Sequence, residues 1–195
     1  DSWDDDQDGT PRGGISLNDY DSKFDASNGV LDSSNNLVTS GYIRGNGGDD
    51  VIVGFTHGTQ FKGGSGDDVL IVADNAQPSD NYKWWTKQEA KYDGPSSRFD
   101  LESGYVLLQD NAPVLGTNGK ATWSAVEISG YTAATRITDK LSDVDGGEGQ
   151  DILVGIEEVR FNGDDVSILP SASHYLGYGT GYPGINLNDQ LMADF

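Results

Sequence analysis

An all-β fold, a sandwich or roll of short strands with at most one short helix, is what this sequence predicts, and three observations predict it. The acid is turn acid: 26 of the 32 acidic residues are Asp, which favours turns and caps where Glu favours helices. Glycine is 27 of 195 residues, roughly twice ordinary usage. Apolar residues come in short runs bounded by Gly and Asp, and stretches such as YVLLQD (105–110), TWSAVEI (122–128) and TRITDKL (135–141) alternate as antiparallel strands do. A chain of 195 residues suits one sizeable domain, read here as 1–195.

Charge narrows the function classes. Twelve Lys and Arg against 32 Asp and Glu leave a net charge of −20, which repels nucleic acid and anionic lipid. The absence of Cys excludes thiol catalysis, disulfides and Cys-based zinc sites. No apolar run approaches the ~18 residues a membrane-spanning helix needs. The chain opens on Asp1-Ser2-Trp3-Asp4 without a basic-then-apolar leader, and reads as a mature or excised segment. Leu, Ile, Val and Phe total 43 of 195 residues, close to the level below which a highly charged chain stays unfolded. Such a chain needs cations to condense its carboxylates, and Asp-rich, Gly-rich turns favour calcium, a hard cation with oxygen ligands.

A repeat carries this further. Residues 45–53 read GNGGDDVIV and residues 63–71 read GGSGDDVLI, both on the pattern G-G-x-G-x-D-x-U-x with U a large apolar residue. The first has Asn46 in place of its second glycine. Between them, 54–62 (GFTHGTQFK) keeps Gly54 and Phe61 but has Thr59 where the Asp belongs. The eighth position thus runs Ile52, Phe61, Leu70 at a spacing of nine. A third copy, GGEGQDILV, occupies 146–154. Its offset from the second is not a multiple of nine, so 73–145 reads as an insertion.

These motifs resemble the repeats-in-toxin (RTX) family of secreted bacterial proteins. The resemblance implies a calcium-stabilised β-sandwich or β-roll-like domain, with split repeats at 45–71 and 146–154, that binds several calcium ions. Each nonapeptide is then a turn and a strand, two make one coil, and turns 18 residues apart stack. Asp50 and Asp68 would share an ion, with Gly45, Gly47, Asp49, Gly63, Ser65 and Asp67 completing the two turns. Gly146 and Asp151 would bind calcium in the third copy, with the second half-site supplied from elsewhere, as by stacking on the 63–68 turn. The segment 155–169 resembles the piece that closes such units in large RTX proteins.

Three stretches stand outside the repeats. Asp4, Asp6, Asp8 and Gly9 spell D-x-D-x-D-G, the opening of a calcium loop, though Ile15 stands where its bidentate Glu belongs; a solvated acidic terminus is the other reading. GISLND (14–19) and GINLND (184–189) are near-identical and suit edge strands beside an Asp turn. Lys83, Lys87, Lys91 and Arg98 fall beside Tyr82, Trp84, Trp85 and Tyr92. The lysine spacing of four predicts a short helix over 81–92. Either the lysines neutralise nearby Asp while the tryptophans pack inside, or Lys83, Trp84, Trp85, Lys87 and Tyr92 form a ligand-recognition patch.

Catalysis finds little support, a glycosidase-type carboxylate pair being the one catalytic reading left open. His57 and His174 are the only histidines, neither has H-E-x-x-H spacing, and no G-x-S-x-G elbow occurs. Carboxylate pairs such as Asp49–Asp50 are explained as ligands or turn residues, so no enzyme is expected. Among RTX contexts, secretion domains hold longer arrays and pore formers need an apolar helical region. The layout is most similar to the peptide-binding domain of large adhesins of Gram-negative bacteria, extracellular proteins of cell adhesion and biofilms. That resemblance implies a monomeric module within a larger protein, binding a peptide or protein C-terminus on a partner cell. A lectin-like module, in which sugar hydroxyls complete the calcium shell, and a purely structural segment are the alternatives.

Overall fold

The computed structural model describes residues 13–31, 34–73, 76, 87–110, 112–142, 145–162 and 166–168. Its strands begin with β1 (Gly13–Ser16), β2 (Lys23–Asp25), β3 (Val30–Leu31), β4 (Leu37–Val38), β5 (Gly41–Gly47) and β6 (Val51–Val53). Next come β7 (Thr59–Ser65), β8 (Val69–Ile71), β9 (Gln88–Tyr92), β10 (Phe99–Val106), β11 (Leu108–Gln109) and β12 (Ala112–Pro113). The last are β13 (Trp123–Ser124), β14 (Thr132–Asp139), β15 (Gln150–Val154), β16 (Glu158–Phe161) and β17 (Val166–Ile168). The fold is all-β: no α-helix occurs among the described residues, and a 3-10 turn spans Ser96–Arg98. No helix there is long and apolar enough to cross a membrane.

Two sheets hold the molecule. The first runs β1-β5-β7-β9-β16-β17 and the second β13-β10-β14-β15-β8-β6-β2. The chain alternates between them, β5 to β6, then β7 to β8, and successive passes pair in parallel. Nine residues carry it from one sheet to the other, so the eighth positions face one interior from alternate sides. Ile52 and Leu70 enter it from the second sheet and Phe61 from the first, each at most 1% exposed. Ile43, Ala90, Leu153 and Val159 complete that layer.

The third copy stacks on the second position for position: Ile152 pairs with Val69, Leu153 with Leu70 and Val154 with Ile71. Its offset of 83 residues along the chain is therefore no break in the winding. Within the stretch read as an insertion, β9 is itself a rung of the first sheet, parallel to β7 and to β16. The excursion proper leaves after Tyr92 and returns at Gln150. There β10 and β14 form a long antiparallel pair that continues the second sheet beside β15.

The helix expected over 81–92 is corrected by the same pairing. Residues 88–92 are strand, and 81–86 lie outside the described residues. A spacing of four suits a helix, but backbone partners on both sides outweigh a local preference. As a strand, the segment also gathers its charges on one face, with Arg160 Nε on Glu89 Oε1 at 3.2 Å and Lys87 Nζ on Glu158 Oε2 at 2.7 Å.

The excursion also makes a second core. The seventh and ninth repeat positions point away from the interior, and Val53, Val69, Ile71, Ile152 and Val154 pack outside against Val106 and Ala134. Ala121 and Trp123 lean on the same cluster. Near-continuous apolar strands such as VIV and VLI are thus covered on both faces. Replacing Phe61 by Ala should cost about 3–5 kcal/mol, because the ring is 0% exposed in the first core. Leu37→Ala, on a residue 55% exposed, should cost under about 1 kcal/mol; urea denaturation of both variants at one fixed calcium concentration checks the contrast.

Candidate metal centre and ligand groove

One edge of the winding is acidic and the other is not. On the non-acidic edge, Thr59 Oγ1 accepts from the Phe55 N–H at 2.7 Å, and the Phe55 ring is 0% exposed. A hydroxyl closes that turn where the degenerate repeat lacks its Asp.

On the acidic edge, two rows of aspartates tie neighbouring coils together. In the inner row, Asp151 Oδ1 accepts from the Asp68 N–H at 2.9 Å and Asp68 Oδ1 from the Asp50 N–H at 2.8 Å. Asp50 Oδ1 accepts from the Ser22 N–H at 2.8 Å, ending the row. The outer row runs the opposite way. Asp21 Oδ1 accepts from the Asp49 N–H at 3.0 Å, Asp49 Oδ1 from Asp67 N–H at 2.8 Å, and Asp67 Oδ1 from Gln150 N–H at 3.0 Å. Each aspartate spends one oxygen on a backbone donor of the next or previous coil.

The second oxygens differ. Asp50 Oδ2 and Asp68 Oδ2 are buried, and neither has a hydrogen-bond donor among the described residues. Each is tucked against a glycine: a Cβ on Gly45 would overlap Asp50 Oδ2 and the Gly63 carbonyl oxygen, and one on Gly63 would overlap Asp68 Oδ2. Any larger residue would fill the space beside these oxygens, which is why the repeat begins with glycine. A buried carboxylate oxygen beside a backbone carbonyl, as Asp50 Oδ2 is beside that of Gly63, with no donor among the described residues, has the chemistry of a hard-cation ligand. Among the described residues no three acidic or histidine side chains converge as a cluster that could hold a metal ion.

Burial dominates the titration of these groups. It lifts Asp50 to about 6, Asp68 to about 7 and Glu148 to about 7, and it pushes Asp151 well above the usual carboxylate range. Asp139 behaves oppositely. Burial would raise it, but the Arg98 guanidinium and the N–H groups of Leu141 and Glu148 hold it below its ordinary value.

Compared with known proteins, the chain matches no family model, no curated protein and no solved structure.

Beside the acidic edge lies a groove of about 650 Å³. One wall is the outer row, Asp21, Asp49 and Asp67; the other is the excursion's arm from Pro113 to Trp123. Lys120 Nζ crosses it to Asp67 Oδ2. The Arg136 guanidinium sits 4.9 Å from the centre of the Trp123 ring, and both line the groove. The acidic wall thus faces Lys120, the Trp123 ring and, from β14, Arg136, which also pairs with Glu102 Oε2.

The residues singled out from sequence distribute as follows. Gly45, Gly47, Asp49, Asp50, Gly63, Ser65, Asp67, Asp68 and Asp151 come together along the acidic edge. Gly146 instead accepts from Arg98 Nη2 at 2.8 Å, at the neck of the excursion. Asp4, Asp6, Asp8, Lys83, Trp84 and Trp85 lie outside the described residues. Lys87 is paired with Glu158. Tyr92, expected on a ligand-facing surface, is 4% exposed in the core, because strand alternation in β9 turns it inward.

Sequence reasoning missed Asp21 and Ser22, Glu148, and the groove residues Lys120, Trp123 and Arg136. Asp21 precedes Asp49 by 28 residues, because the β3–β4 hairpin is spliced into that coil, so a period of nine cannot find it. The available signal was GISLND itself, which supplies β1 and the turn leading to Asp21. Asn46, the departure from the repeat, ties this first coil down: its Nδ2 donates to Ser16 Oγ at 3.0 Å and Leu17 O at 2.5 Å.

The pH dependence of the metal-free protein follows. Asp50 and Asp68 are raised to about 6 and about 7, so the folded chain binds more protons than the unfolded chain above about pH 4. Stability in chelator should therefore fall as pH rises from 5 to 8. It should fall again below about pH 4, where the depressed Asp139 loses its ion pair with Arg98. Urea midpoints across this range check the profile, and a midpoint rising from pH 5 to 8 would contradict it.

Proposed function

We propose that this protein is a calcium-dependent ligand-binding module of a secreted, cell-surface RTX adhesin, and that it engages the C-terminal end of a peptide or protein on a partner cell. The observation that carries the reading is the pair of buried oxygens Asp50 Oδ2 and Asp68 Oδ2, without a donor among the described residues, in turns that line the groove. Asp50, Asp68 and carbonyl oxygens such as that of Gly63 would hold the ion, with Asp49 and Asp67 adding negative charge at its outer side. The nonapeptides at 45–53, 63–71 and 146–154 support the RTX resemblance, and a net charge of −20 supports a need for several ions.

Calcium takes six to eight oxygens, more than two carboxylates and a few carbonyls supply. A carboxylate at the end of a peptide can complete that shell, and the ion lets an acidic domain attract an anion. Lys120 and Arg136, paired with Asp67 and Glu102, would exchange part of that pairing for the same negative end, and the Trp123 face offers apolar contact for a neighbouring side chain. Binding, rather than turnover, is what these groups support.

Three measurements test the reading. Millimolar calcium should raise the melting temperature over chelator by roughly 5–10 °C per ion at a hundredfold excess over Kd; an unchanged midpoint refutes calcium dependence. Asp50→Ala and Asp68→Ala should each cost on the order of 2–4 kcal/mol. Because the two share an ion, the double variant should lose little more than either alone, and simple additivity would place them in separate sites. Calorimetry with peptides in calcium should show binding by a free C-terminus and none by its amide. Equal binding of the amide overturns the carboxylate mechanism, and binding to glycans alone replaces it with the lectin-like reading.

A further inference from the structure

The three inner aspartates are equivalent in sequence but not in surroundings. Along the first sheet, Arg44 pairs with Lys62 and Asn46 with Gly64, which sets Gly45 beside Gly63. The next rung aligns Phe61 with Ala90, so two residues further on Tyr92 takes the place that glycine holds in the coils before. At the glycine positions a single added carbon would overlap the carboxylate oxygen. At the third position a whole phenol is present, and its hydroxyl donates to Asp151 Oδ2 at 2.8 Å.

The contrast in partners follows the contrast in residues. Asp50 Oδ2 and Asp68 Oδ2 have no donor among the described residues, whereas Asp151 has both oxygens engaged, one by the Asp68 N–H and one by Tyr92. The phenol cannot swing aside. Its ring meets Phe99 edge-on at 5.2 Å and Phe161 at 6.1 Å between centroids, and it is 4% exposed. Glu148 Oε2, also without a donor at this turn, has Lys62 and Arg98 within electrostatic reach.

We infer that the Tyr92 hydroxyl takes at the third turn the place that the cation shared by Asp50 and Asp68 takes at the first two, so that Asp151 is not a metal ligand. The inference rests on the calcium reading above and departs from the repeat pattern, which would make all three aspartates ligands. It also gives the third turn a different task. Tyr92 is the last residue of β9 and Asp151 the second of β15, so their bond clasps the two stems of the excursion. The Asp93 N–H to Glu148 Oε1 bond at 2.6 Å and the Arg98–Asp139 ion pair close the same neck. None of these bonds uses a metal, so the arm that walls the groove stays attached to the winding when calcium is withdrawn.

Calcium bound per molecule of the full chain, counted by equilibrium dialysis and native mass spectrometry, tests this. Asp68→Asn should lose an ion, whereas Asp151→Asn should keep the wild-type count with a Kd within about threefold. Loss of an ion from Asp151→Asn, as from Asp68→Asn, overturns the inference. Absence of bound calcium in the wild type overturns the calcium reading itself, a separate result. Should Asp151→Asn not fold, Tyr92→Phe keeps the ring and removes only the hydroxyl. It should lower the melting temperature equally in calcium and in chelator, with the ion count unchanged. A drop confined to calcium would put the phenol in a metal shell and overturn the inference.

Discussion

The structure depends on how it disposes of buried like charge. Asp50, Asp68 and Asp151 stand in a column at one edge of the winding, all at most 1% exposed, with no lysine or arginine bonded to any of them among the described residues. An isolated buried carboxylate costs several kcal/mol or gives up its charge. Each aspartate recovers part of that cost through a backbone N–H of the adjacent coil, and that bond keeps one coil in register with the next. The same bonds that align the coils concentrate the negative potential, so alignment of this edge and its demand for positive charge have one origin.

Burial is arranged around that edge. The opposite edge is closed at the degenerate repeat by the Thr59 hydroxyl and the buried Phe55 ring, and it lets the interior run continuous from Ile43 to Val159. The outward faces of β6, β8 and β15 are apolar too, and the excursion covers them. A plain winding would leave Val53, Val69 and Ile71 facing water. Folding the arm over them also carries Lys120 and Trp123 to the acidic turns, so one packing requirement creates the groove.

The excursion is anchored by positive charge, which is scarce in this chain. Arg98 holds Asp139 while also donating to Asp93 O and Gly146 O, which draws both stems together. On the first sheet's outer face Arg160 serves Glu89 and Glu158. Twelve basic residues are few, and several sit where two segments distant in sequence must meet.

What the sequence determined by itself is what its periods encode. The spacing of nine set Ile52, Phe61 and Leu70 facing one interior, and Gly-rich Asp turns specified an all-β chain with its acids in turns. These are local rules, since a turn and the strand after it are contiguous. The tertiary structure decided everything that depends on which strands become neighbours. It made 88–92 a rung instead of a helix, because pairing with β7 and β16 outweighs the spacing of Lys87 and Lys91. It set Asp151 on Asp68 across 83 residues, and Asp21 beside Asp49 across 28, since a ladder is indifferent to the length of chain between its rungs. It also turned Tyr92 from an expected surface aromatic into the partner of Asp151, because which way a strand residue points is settled only by the sheet it joins.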